Sequence, residues 1–138
     1  MGNFKKLEVW EMACDLAVTI HKLVGQLPTD EKFGLISQAR RAAMSIPQNI
    51  AEGSARGTDA DFARFLRISL GSAAELETIL TVAPRLHHVI QSDYDQAMAN
   101  LNQVQRLLRN LSQQWARNTY ASRRQFMRMS LTKNVTSP

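Results

Sequence analysis

The chain has 138 residues, 44% of them hydrophobic and 21% charged, which suits one globular domain and excludes wholesale disorder. A single cysteine, Cys14, excludes an intrachain disulfide and a Cys-rich zinc site, and no run of 18 apolar residues offers a membrane span. The net charge of +5 is uneven: residues 1–95 hold ten basic and all twelve acidic side chains, whereas residues 96–138 hold seven basic ones and no acid.

Residues 9–27 read as the first helix. Trp10, Ala13, Ala17, Ile20, Val24 and Leu27 recur at helical spacing, and Pro28 ends the pattern. Thr29 is a suitable cap for a second helix, with Asp30 and Glu31 in its first turn. Leu35, Ala39, Ala42, Ile46 and Ile50 continue that helix past Pro47, which removes one backbone donor and bends the helix rather than ending it. Gly53 and Gly57 mark its exit.

Thr58 or Asp59 caps a third helix reaching about Val82. Two adjoining apolar stripes, led by Phe62 and Phe65, make it wide enough to pack on more than one neighbour. Ser92 opens a fourth helix, where Leu101, Leu108 and Trp115 recur every seven residues. From Ala116 onward the periodicity fades into an Arg-, Ser- and Thr-rich stretch. The expected architecture is therefore all-α: an antiparallel up-down-up-down four-helix bundle over residues 1–115, with a basic, partly disordered tail over 116–138.

Enzyme chemistry finds little support. Di-iron bundles need Glu-x-x-His pairs, and none of His21, His87 and His88 follows a Glu at that spacing. The His87-His88 pair falls in the turn between helices three and four, where no carboxylate is expected close enough to complete a metal site. Cys14 sits on an apolar flank, and no nucleophile–base pair stands out. No catalytic residue, metal or cofactor is expected.

Two features stand apart from packing. Gln38, Arg41, Ser45, Asn49 and Glu52 form a polar stripe on helix two, beside Arg40, and helix three offers Ser72 and Glu75 on otherwise apolar faces. Pairing of Arg40 or Arg41 with Glu52 or Glu75 would make this a register-fixing network or a subunit interface. The other feature is the basic end: Arg106, Arg109, Arg117, Arg123, Arg124, Arg128 and Lys133. Such a cluster gains affinity for RNA or DNA by displacing counterions from phosphates, and without an aromatic ladder its binding is sequence-tolerant.

Particular residues also carry a resemblance. Phe4-x-x-Leu7-x-Val9-Trp10 opens the chain. Pro28-x-x-Glu31-x-Phe33-Gly34-Leu35-x-x-Gln38-x-Arg40-Arg41-Ala42 leads to Ser45-Ile46-Pro47-x-Asn49-Ile50-Ala51-Glu52-Gly53, and Gly71-Ser72-x-x-Glu75-Leu76-Glu77 follows. This pattern, spanning roughly residues 4–115, resembles the bacterial four helix bundle family, also called the 23S rRNA intervening-sequence protein family. That family usually has Tyr where this chain has Phe33, and its pattern does not extend over the basic end. Its members are similar to the accessory variability protein of diversity-generating retroelements. The resemblance implies a non-enzymatic homopentamer of the cytoplasm that binds nucleic acid, with a protein such as a reverse transcriptase as a further partner. A structural or protein-interaction module without nucleic acid is the alternative.

Overall fold

The structure, a computed structural model, describes residues 3–133. It contains four α-helices in chain order: α1 (Glu8–Val24), α2 (Leu35–Ala55), α3 (Asp59–Leu86) and α4 (Gln91–Lys133), with short 3-10 turns at Phe4–Lys6 and Thr29–Glu31. There is no strand among the described residues. Consecutive helices pack side by side and α4 closes the bundle against α1 and α3. This is the expected all-α four-helix bundle.

The core is built from the periodic positions. Leu16, Ile20, Ile46, Ile50, Phe62, Leu66, Leu76, Leu80, Leu101 and Leu108 are fully buried. Within each helix they lie four, seven or ten residues apart, so one face of every helix turns inward. The Phe62 ring meets Trp115 edge-on at 5.2 Å, which pins α4 to the start of α3.

Two departures from expectation concern α2. The chain after Pro28 forms a 3-10 turn, and α2 begins only at Leu35. Glu31 causes this, because its Oε2 accepts from the Leu35 amide at 3.0 Å and supplies the cap from outside the helix. A Cβ on Gly34 would lie 2.8 Å from that carboxylate oxygen, so glycine lets the side chain cross. Gly53 is not a helix exit. It is buried inside α2, where α3 approaches so closely that a Cβ would lie 2.5 Å from that of Phe65. The turn between α2 and α3 is made at Gly57, with φ +84°, and Thr58 then caps α3 by accepting from the Asp61 amide.

The largest correction concerns the basic end. The residues expected as a partly disordered tail continue α4 as helix to Lys133, while residues 134–138 lie outside the described residues. No Gly or Pro occurs between Arg85 and Ser137, and Arg, Gln, Met and Leu favour helix, so propensity carries the helix on where the core pattern stops. From Arg117 to Lys133 this extension is about 25 Å long.

Candidate functional site

The polar stripe of α2 divides into three parts. Its centre is a helix-to-helix network. Ser45 and Ser72 share a hydrogen bond of 2.7 Å between α2 and α3, and Asn49 Nδ2 donates to Ser45 Oγ at 2.9 Å and to the Ser45 carbonyl at 2.7 Å. Buried Ser69 adds a 2.8 Å bond to the Ile46 carbonyl, one residue before Pro47. These bonds fix the height of α3 against α2, as a register network does.

The stripe's charged members go elsewhere. Arg40 Nη2 donates to the His21 carbonyl at 3.1 Å and satisfies an end-group of α1, while its buried Nε has no partner among the described residues. Glu52 pairs with Arg56 at 2.7 Å on the surface of α2. The expected pairing of Arg40 or Arg41 with Glu52 or Glu75 is not formed among the described residues. Arg41 and Glu75 are both exposed instead. They line an open cavity of about 500 Å³ with Phe33, Gln38, Ala42, Ser45, Thr78 and Ile79.

His87 has a carboxylate partner that spacing does not reveal. Its Nε2 lies 3.1 Å from Glu31 Oε1, across 56 residues of sequence. The Leu35 amide, and then His87, hold the Glu31 carboxyl below its usual range. The pair ties the 3-10 turn to the end of α3. No group of three or more His, Cys, Asp or Glu among the described residues is arranged to hold a metal ion. Burial, with Glu11 and Asp15 nearby, pushes the Cys14 thiol above its usual range and leaves it a poor nucleophile.

The basic residues lie along α4. Arg106 and Arg109 are exposed on its outer side, opposite buried Val104 and Leu108. Beyond the bundle, Arg117, Tyr120, Ala121, Arg124, Gln125 and Arg128 line one shallow surface of about 680 Å³. Their spacing of three, four and seven residues places them on a single face. Arg123 is exposed but points away from that face. Lys133 lies in the last described turn of α4. No Asp or Glu follows Asp95, so the charged side chains of this arm are all basic. The arm also exposes Phe126, Met127, Met129 and Leu131. The sequence placed the arginines but not the tyrosine among them, because Tyr120 joins the stripe only when the segment is helical. No described helix is long and apolar enough to cross a membrane.

Comparison with known proteins follows the bundle and not the arm. A solved structure from Bacteroides thetaiotaomicron VPI-5482, a protein of unknown function from the S23 ribosomal protein family, superposes with a TM-score of 0.69 at 27% identity. The match covers 76% of this chain and 95% of that one. No curated protein matches. The family model described as 23S rRNA-intervening sequence protein matches residues 5–110, and the chain belongs to that family.

Proposed function

We propose that this protein is a non-enzymatic, homo-oligomeric accessory protein that binds RNA or DNA through the outer face of α4. The observation that carries the reading is the stripe of Arg117, Arg124 and Arg128 around Tyr120, on a helical arm with no acid. Arg106 and Arg109 continue the positive surface onto the bundle. Guanidinium groups one to three turns apart contact successive phosphates, and a lone tyrosine supplies one stacking surface without sequence readout. The family's name supports a ribosomal-RNA context. The resemblance noted above adds five copies in a ring, which would present several arms to one polymer and strengthen weak contacts by avidity.

The test is binding to structured RNA and to duplex DNA across salt concentrations. Neutralising Arg117, Arg124 and Arg128 to Gln removes about three phosphate contacts. It should flatten the slope of log affinity against log salt by about 2.7 and weaken both polymers alike. Full-length protein without salt-dependent binding to either polymer refutes the reading. The exposed Phe126, Met127, Met129 and Leu131 favour a second reading, a protein partner seated on the arm, and that reading then takes over.

A further inference from the structure

A groove of about 400 Å³ runs along the seam between α1 and α2 and serves neither the serine network nor the arm. Ala17 and Val18 from α1 and Met44 and Pro47 from α2 make its apolar body. Val18 and Met44 are large apolar side chains, yet they stay 55% and 49% exposed. Arg40 Nη2 donates to the His21 carbonyl, so His21, Lys22 and Arg40 gather at one end of the groove, and Cys14 lies at the other. No acid lines it. Glu11 and Asp15 act on the Cys14 thiol, so potential along the groove runs from negative beside Cys14 to positive beside Arg40.

The cationic end has capacity to spare. Neither Lys22 nor Arg40 pairs with a carboxylate among the described residues. Arg40 spends Nη2 on the His21 carbonyl, and its buried Nε has no partner there. The carbonyls that end α1 carry about half a negative charge, which two cations outweigh. From Cys14 to Lys22 the groove is about 12 Å long. Two helical turns fall well short of the roughly 800 Å² that a stable protein contact buries on each partner. The volume instead lies in the range of small-molecule sites, about 300–1,000 Å³. We propose that the α1–α2 groove binds a small anionic amphiphile, a medium-chain carboxylate, with its apolar chain along Val18, Met44 and Pro47 and its carboxylate between Lys22 and Arg40. This site is separate from the polyanion surface of α4 and does not depend on it.

Cys14 is the single cysteine of the chain and lines the far end of the groove, so its alkylation reports occupancy. The test uses the full chain with decanoate below its micelle-forming concentration. Binding is followed by calorimetry and by the rate of Cys14 alkylation at mildly alkaline pH. Decanoate should slow alkylation at least threefold. Octanoate should bind several-fold more weakly, since each buried methylene is worth about fourfold. Decyltrimethylammonium should not bind. Lys22→Glu and Val18→Asp should each weaken decanoate by tenfold or more, and because both positions are exposed the fold should melt unchanged. Decanol binding as tightly as decanoate, or affinity indifferent to Lys22→Glu, overturns the anion site. Decanoate that binds without slowing Cys14 alkylation places it elsewhere and overturns the groove. A thiol already shielded in ligand-free protein, and released on dilution to dissociated chains, assigns the groove to a contact between copies and overturns the proposal as well.

Discussion

Gly53 shows how one absent methyl group sets a helix crossing. In an ordinary helix, Ala in place of Gly gains about 1 kcal/mol. Here the new Cβ would meet the Phe65 Cβ at 2.5 Å and the Phe62 ring at 3.3 Å. Both neighbours belong to the packed side of α3 and cannot swing away, so overpacking wins. Gly53→Ala should therefore destabilise by about 1–3 kcal/mol in urea unfolding. A gain in stability would show that α2 and α3 separate freely. Glu31 acts at the same scale through its charge. Its carboxyl titrates below the usual value near 4.5 in the folded chain, because the Leu35 amide and then His87 favour the anion. A lowered folded value means that this contribution is complete above the unfolded value and is lost as pH falls through the folded one. Glu31→Gln should be less stable than the parent at neutral pH, and the gap should close below about pH 4. A gap that stays constant down to pH 2 would remove the ionised carboxylate from the account.

At the scale of the elements, the α2–α3 pair and the α4 arm obey different physics. The pair is packed and its polar groups are matched. Ser45→Ala leaves the buried Ser72 hydroxyl without its partner and should cost about 1–3 kcal/mol, whereas Ser45→Ala with Ser72→Ala removes both ends and should cost less than the single change. Equal or additive losses in a double-mutant cycle would mean that the two hydroxyls do not interact. The arm, in contrast, has little to pack against, and every residue from Ala121 to Leu131 is exposed. A helix of that length is marginal in water without a partner, so its amides should exchange far faster than those around Leu101 and Leu108. Ala121→Pro tests the stripe as a helical object. It breaks the arm's helix without touching the core, so bundle melting should be unchanged while nucleic-acid affinity falls. Unchanged affinity would mean that charge alone binds, without the single face.

For the whole molecule, the division between bundle and arm matters most. The family match ends at residue 110, and the S23 family structure spans about three-quarters of this chain. The shared body is thus complete without the arm. A chain ending at residue 116 should still unfold cooperatively, with a melting temperature close to the parent's. Loss of cooperative unfolding would show that the arm folds back to stabilise the bundle. The charge follows the same division, since every acid lies at or before Asp95. The body is thus nearly balanced in charge and the arm is positive.

Much of this was legible along the chain. Four periodic apolar patterns dictated four helices, and the facing stripes dictated a bundle, because burial of one face per helix is a local property of spacing. The helix-two block identified the family, and the acid-free basic end stood out by composition alone. Other features depend on distance in space. Arg41 and Glu75 look placed for an ion pair, but in the fold both lie exposed along one open cavity and form none with each other. Glu31 and His87 meet across 56 positions and delay the start of α2, which no local cap predicts. Gly53 reads as a breaker until Phe65 is seen against it. Tyr120 joins the arginine face only because the helix continues beyond its core pattern. Spacing decides which residues share a face; only the packed fold decides which faces touch, and so which charges are satisfied and which are left for a partner.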